Sequence, residues 1–393
     1  MKNVPDIRFK GFEEEWNQYL IKNVASRHDN LRIPIKESKR KKGNVPYYGA
    51  NGIQDYVSGY THNGEYVLVA EDGANDLNIY PVQYVNGKVW VNNHAHVLQA
   101  KCEYGTNKFL RFAISNLKIK PYLVGCGRLK LNSEVLMTLG IKLPKLDSQK
   151  IISNYLYSQD DNIINTSKKI ASLKQLKSAC LISMFPQQGE TVPRVRFEGF
   201  NGEWKKKKLN SFASRITRKN SKLETKLPVT ISALNGIIEQ TMFFNNIVAS
   251  SNLSGYYLMK KGEFAYNKSY SCGFPFGAVK RMDRYEMGAL SNLYIVFKLE
   301  DTVCDDYILY LFETSTWHKE VSMRASEGAR NHGLLNIGAE DFLDIDIWVP
   351  NDKAEQHQIA SYFRNLDIQI SEQEKRLEKL KQIKAACLDK MFV

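Results

Sequence analysis

Adjacent prolines occur nowhere among the 11 in this 393-residue chain, and no C-x-x-C pair links any of its six cysteines. The first absence removes the [D/N/S]-P-P-[aromatic] loop with which amino-methyltransferases grip a flipped base. The second argues against a zinc site, and the scatter of Cys102, Cys126, Cys180, Cys272, Cys304 and Cys387 argues against a disulfide framework. Free thiols in a reducing cytoplasm are the expectation. No window approaches eighteen uninterrupted apolar residues, so no membrane helix is expected. Met1-Lys2-Asn3-Val4-Pro5-Asp6 carries no apolar core of the signal-peptide kind. No G-x-x-x-x-G-K-[ST] occurs, which excludes ATP-driven translocation by this chain.

Other chemical signals are equally thin. Gly125-Cys126-Gly127 fails to complete G-x-G-x-x-G because Lys130 stands at the last position, so it reads as a turn. Phe9-Lys10-Gly11 and Phe197-Glu198-Gly199 lack a second glycine two residues on. His94-Ala95-His96 resembles a metal pair on one strand face, yet no further ligand lies in sight. Glu71-Asp72, Asp305-Asp306 and Asp344-x-Asp346 read as strand and helix termini rather than a nuclease centre. The expectation is a chain without a catalytic site, metal or bound cofactor.

What is abundant is positive charge. Fifty-five Lys and Arg against 42 Asp and Glu leave a formal +13. Such an excess attracts polyanions, and phosphate neutralisation with counterion release drives sequence-independent DNA affinity. Two basic runs stand out, Lys39-Arg40-Lys41-Lys42 and Lys205-Lys206-Lys207-Lys208, each readable as a solvated surface loop.

The chain is also written twice. Pro5-Asp6-Ile7-Arg8-Phe9-Lys10-Gly11-Phe12-Glu13-Glu14-Glu15-Trp16 returns 188 positions later as Pro193-Arg194-Val195-Arg196-Phe197-Glu198-Gly199-Phe200-Asn201-Gly202-Glu203-Trp204. Ala25-Ser26-Arg27 recurs at Ala213-Ser214-Arg215 with the same offset. The closing Leu173-Lys174-Gln175-Leu176-Lys177-Ser178-Ala179-Cys180 recurs 207 positions on as Leu380-Lys381-Gln382-Ile383-Lys384-Ala385-Ala386-Cys387, so the second repeat is longer. Between these ends Gly64-Glu65-Tyr66 echoes Gly262-Glu263-Phe264, and strand-like Asn93 to Leu98 echoes Asn292 to Phe297. A short helix at Phe109 matches a longer one near Tyr307, and Ile141-Lys142-Leu143-Pro144 matches Ile347-Trp348-Val349-Pro350. A common frame holds diverged contents.

From Ile152 onward apolar residues fall at helical spacing. Leu156, Ile163, Ile170 and Leu173 form one stripe, and Phe363, Leu366, Ile370, Leu377 and Leu380 form another. Polar Thr166, Lys177, Gln373 and Lys384 interrupt the seams. Each helix spans roughly 30 residues, about 45 Å at 1.5 Å per residue. The favoured arrangement pairs them antiparallel as a coiled coil; the alternative packs each onto its own globular domain. The reading is thus mixed α/β with domains at 1–146 and 191–352 and helices at 147–190 and 353–393.

With these residues in hand, the chain resembles the specificity (S) subunit of type I restriction–modification systems. The signatures are the repeated R-F-x-G-F-x-x-E-W opening and Tyr47-Tyr48-Gly49-Ala50-Asn51-Gly52-Ile53. Two helix starts, Gln149-Lys150-Ile151-Ile152 and Gln356-His357-Gln358-Ile359, and the L-K-Q-x-K-x-A-C-L-x-x-M-F closings complete them. Ser148 stands where the second repeat has Glu355, a mild departure. The resemblance implies two target-recognition domains that read a split, asymmetric sequence in double-stranded DNA. It also implies paired helices that act as ruler and as docking site for two methyltransferase (M) subunits, with restriction (R) subunits joining. S-adenosylmethionine, ATP and Mg2+ would then sit on those partners.

Base reading needs side chains that donate or accept in the major groove, and phosphate holding needs loose cations. Candidates in the first half are Lys39, Arg40, Lys41, Tyr47, Tyr48, Asn51, Arg128 and Lys130. In the second they are Lys268, Tyr270, Arg324, Arg330, Asn331 and His332. Two rival readings stay open: a stand-alone DNA-binding nuclease, which would cleave DNA with Mg2+, and a basic helical adaptor blind to sequence.

Overall fold

Strand-forming runs near the start of each repeat and a long amphipathic helix at its end shape the computed structural model, which describes residues 3–244, 252–325 and 335–393. The chain divides into two compact units. The first holds residues 1–168 and 374–393, and the second holds residues 169–373. Each unit is therefore built from one repeat's sheets plus a helix segment contributed by the other repeat.

In the first unit six strands lie in the order Ala25–Arg27, Ala95–Ala100, His62–Ala70, Val82–Val91, Lys42–Gly49, Gly52–Val57. All neighbours pair antiparallel except Lys42–Gly49 with Val82–Val91, which are parallel. Alternation along His62–Ala70 gives the sheet two dry faces. Val67 and Val69 join a core with Phe109, Phe112 and Leu156, while Tyr66 and Leu68 join Val85, Val89 and Val97. The helix Asn107–Ser115 covers the first face, capped by Thr106, whose Oγ1 accepts from Phe109 N at 3.2 Å.

The second unit repeats this frame. Ala213–Arg215, Ile295–Leu299, Phe264–Asn267 and Ala278–Arg281 follow one another in the corresponding order. A second four-stranded sheet holds Gly236–Glu239, Pro228–Ser232, Met287–Leu290 and Tyr257–Lys260. The comparison explains the split. In the first unit one unbroken ladder runs from His62↔Val89 to Val69↔Val82. In the second it breaks into Tyr257↔Leu290 to Lys260↔Met287 and Phe264↔Arg281 to Asn267↔Ala278. Gly262, at φ +83°, turns the strand at the break. Buried Glu263 accepts from Lys260 N at 2.8 Å and holds Arg218 at 2.8 Å, which closes the irregular backbone. One six-stranded sheet in the first unit has become two four-stranded sheets in the second.

Three expectations change here. The helix near Tyr307 is the shorter of its pair, Asp305–Leu311 against Asn107–Ser115, because a turn stops it before the separate helix His318–Arg324. The run Lys205–Lys208 is a strand rather than a loop. It pairs antiparallel with Asp346–Val349, whose Ile347 and Val349 are buried, and Lys206 lies 5.5 Å from the Trp348 ring. Backbone pairing to an apolar strand outweighs lysine's poor strand preference. The long helices, Leu146–Ser183 and Lys353–Lys390, each reach 38 residues, beyond the 30 expected.

Inside each unit the two helices run antiparallel, and the contacts repeat. In the first unit Lys384 pairs with Asp160, and the Tyr155 hydroxyl lies 3.7 Å from Cys387 Sγ. In the second Lys177 pairs with Asp367 at 2.7 Å, and the Tyr362 hydroxyl lies 3.4 Å from Cys180 Sγ. These are the same contacts moved by one repeat. Leu156, Ile170, Phe363, Leu366 and Ile370 are buried, and Ile163, Leu173, Leu377 and Leu380 are half-buried. Polar seam residues Lys177 and Lys384 thus stay inside by meeting acids. Leu156 and Phe363 also enter the globular cores, so the seam and the packing onto each domain coexist. No helix among the described residues is long and apolar enough to cross a membrane.

Candidate nucleic-acid interface

At one end of the six-stranded sheet, loops far apart in sequence meet through charge. Residues 124–130 form a small hairpin, with Val124 and Lys130 exchanging backbone hydrogen bonds of 3.0 and 2.9 Å. Gly125 and Gly127, at φ +113° and +87°, allow its tight tip. Lys130 Nζ lies 2.7 Å from Glu71 Oε1, and Arg32 Nη1 lies 2.6 Å from Glu71 Oε2. His96, buried, places Nδ1 2.8 Å from Asp29 and Nε2 2.9 Å from the Leu131 carbonyl. Alongside, Asp72 Oδ1 receives Arg128 Nη2 at 2.9 Å and stands 2.7 Å from His94 Nδ1. Asn51 ties in the next loop, donating to Gly73 O at 2.8 Å and accepting from Asn75 N at 2.9 Å.

Burial pushes the Asp29 carboxyl up, but hydrogen bonds from His96 and the Val97 amide, with the His96 and Arg32 charges, hold it below its ordinary value. Glu71 behaves alike: burial raises it, and Lys130 and Arg32 bring it down further. Glu71 in turn holds the Lys130 ammonium above its usual range through its hydrogen bond. Ligand atoms of Asp29, Glu71 and His96 lie within 4.8 Å of one another. They could hold a cation only by releasing Arg32 and Lys130, so the cluster is better described as a closed ionic network.

The sequence candidates separate by environment. Arg128 and Lys130 lie on this surface with side chains 59% and 47% exposed. Lys39, Lys41 and Asn51 are exposed as well. Arg40 is otherwise engaged: it lies 4.2 Å over the Tyr47 ring and 3.4 Å from Asp55. Tyr47 belongs to the interior, 1% exposed, its hydroxyl accepting from Ile35 N at 3.0 Å, because strand alternation turns it inward. Tyr48 is half-buried against the second core, where burial raises its phenol. In the second unit Tyr270 is exposed, and Lys268 donates to the Ile337 carbonyl at 3.4 Å. Arg324 pins its helix instead, 2.6 Å from Glu320 and 2.8 Å from the Asp344 carbonyl. Arg330, Asn331 and His332 lie outside the described residues.

Asp29, Arg32, Asp72 and Gly73 were not singled out in the sequence as parts of this surface. The only available signals were the His94-x-His96 and Glu71-Asp72 pairs, whose partners lie on loops distant in sequence.

Comparison with known proteins fits this frame. Residues 13–175 match the type I restriction modification DNA specificity domain. A type I restriction enzyme specificity subunit of Haemophilus influenzae is 46% identical over 147 residues, 37% of each chain. Residues 13–175 therefore carry a likeness to type I specificity domains.

Another relative, the EcoprrI specificity subunit of Escherichia coli, is 26% identical over 162 residues, covering 41% of this chain and 38% of its own. The chain thus aligns with about two fifths of the length of these curated relatives. The fold likeness is wider. The crystal structure of a type I S subunit from M. genitalium superposes with a TM-score of 0.66 at 13% identity, covering 99% of both chains. That likeness supports the two-domain, two-helix fold.

Proposed function

We propose that this chain is a type I specificity subunit that reads a bipartite, asymmetric sequence in double-stranded DNA, one part through each unit. The observation that carries the reading is the duplicated frame with diverged contents. Two units share strand order and helix seam, yet the loops that carry exposed side chains such as Arg128 and Tyr270 differ in sequence. Different loops on equivalent frames suit two different half-sites, and the +13 charge supplies the general attraction to phosphate. In this reading the long helices set the gap between half-sites and receive two M subunits, with R subunits joining the complex. The chain itself is non-catalytic; S-adenosylmethionine, ATP and Mg2+ belong to its partners.

The test is co-expression with a type I methyltransferase subunit, followed by single-molecule mapping of methylated adenines. A split motif that appears only with this chain is the expected outcome. Methylation indifferent to its presence would refute the reading.

A further inference from the structure

We propose that Arg128 is the guanine reader of the first unit, aimed by Asp72 and His94 across Gly73. The inference rests on the DNA-reading function above and names the base and the residues that fix it. Arg128 sits on the 124–130 hairpin with 59% of its side chain exposed, yet its guanidinium is not loose. Nη2 is anchored 2.9 Å from Asp72 Oδ1 and 3.3 Å from His94 Nδ1. Among the described residues Nε and Nη1 have no hydrogen-bond partner, and with one Nη2 hydrogen on Asp72 the other lies parallel to a hydrogen of Nε or Nη1, so the anchored guanidinium still presents a donor pair. O6 and N7 of guanine are the acceptors that such a pair fits in the major groove.

Gly73 makes the arrangement possible. A side-chain carbon there would stand 3.0 Å from Arg128 Nη2, and the residue's φ of +67° favours glycine as well. Asn51 clamps the same loop from the other side. Lys130, two residues beyond Arg128, is fastened to Glu71, so the hairpin's base is fixed too. Rigid support of this kind reduces the entropy lost on forming each hydrogen bond.

Charge separates base reading from phosphate holding. Asp72 cancels the charge of Arg128 and would repel a phosphate placed beside it. Lys39 and Lys41 are exposed and form no such pair among the described residues, which suits them to phosphate. A neutralised, directed Arg belongs at a base edge; an unpaired Lys belongs at the backbone.

The experiment uses the full chain co-expressed with its methyltransferase, with methylated motifs mapped and DNA affinity measured against salt. Arg128→Ala is expected to make one guanine position of the first half-site degenerate, erasing a preference of about ten- to a hundred-fold. The salt slope stays unchanged. Asp72→Asn should relax the same position by several-fold with no change in Tm. By contrast, Lys39→Ala with Lys41→Ala should weaken all sequences alike and lower the salt slope.

A uniform loss of affinity in Arg128→Ala, with a slope smaller by about one, would make it a phosphate contact and overturn the proposal. An unaltered motif would overturn it as well. A lowered Tm with an intact motif in Asp72→Asn would make Asp72 merely structural and remove its aiming role. Failure of the function itself shows differently: the wild-type chain would then direct no motif at all.

Discussion

At the residue scale the most informative site is where the repeats disagree. Glu355, 1% exposed, takes Arg196 at 2.7 and 2.8 Å and the Trp204 indole at 3.3 Å. Its counterpart is Ser148, and there the carboxylate has moved: Glu14, standing where the second repeat has Gly202, accepts from the Ser148 hydroxyl. That hydrogen bond holds Glu14 below its ordinary value against the rise that burial would cause. The two substitutions offset each other, so Ser148 keeps an acid at the joint. Glu355→Ala strands a half-buried guanidinium and an indole N–H, and should cost the second unit about 3–5 kcal/mol in urea unfolding. Ser148→Ala should cost the first unit only about 1 kcal/mol.

The same scale gives the pH dependence. Asp29 and Glu71 titrate lower in the folded chain than their ordinary values of 3.8 and 4.5. An unfolded carboxyl therefore binds its proton first as pH falls. The stabilisation is complete above the ordinary values and is lost as pH drops through the lowered ones. Unfolding of the first unit followed from pH 7 downward should show this loss, and Glu71→Gln should flatten it. A steeper slope in the variant would contradict the network.

At the element scale the long helices show how polar residues specify a seam. Lys177 and Lys384 would be costly inside a coiled coil without partners. Each meets an acid of the other helix, and the burial that depresses Lys177 is outweighed by Glu313 and Asp367, which raise it. A shift of either helix by one turn would separate both pairs, so the lysines set register. Thiol accessibility follows from the same packing. Cys102, Cys126 and Cys272 are exposed, Cys180 and Cys387 are half-buried beside tyrosines, and Cys304 is buried. A chromogenic disulfide reagent should label the first three rapidly, the seam pair slowly and Cys304 only on unfolding. Rapid labelling of Cys180 or Cys387 would mean that the helices are not paired as described.

At the scale of the whole molecule each unit is closed by an aromatic from the end of a long helix. Phe392 stacks on Phe109 at 5.5 Å and meets Trp16 at 5.7 Å. Phe185 stacks on Tyr307 at 5.6 Å and meets Trp204 at 6.2 Å. Phe392→Ala should therefore lower only the transition of the first unit in calorimetry, by about 3–5 kcal/mol, and Phe185→Ala only that of the second. Equal movement of both transitions would show that the units do not melt separately. Exchange of residues 17–143 for another recognition domain should change one half of the methylated motif and leave the other intact. A simultaneous change in both halves would defeat the two-reader model.

Duplication and helix seam were determined by the sequence itself. They rest on spacing, and spacing survives in a linear string: Trp16 and Trp204, Cys180 and Cys387, the stripes through Leu156 and Phe363. The tertiary structure alone decided which polar residues are spent on the protein and which remain exposed. Arg40, Arg128 and Arg324 look alike in a string. One is stacked on Tyr47, one is propped outward by Asp72, and one is locked to Glu320. The acids responsible lie 15, 56 and 4 positions away for Asp55, Asp72 and Glu320, and only folding brings the distant ones near. Local periodicity follows from backbone geometry, whereas the fate of a charge depends on whatever the fold sets within a few ångströms of it.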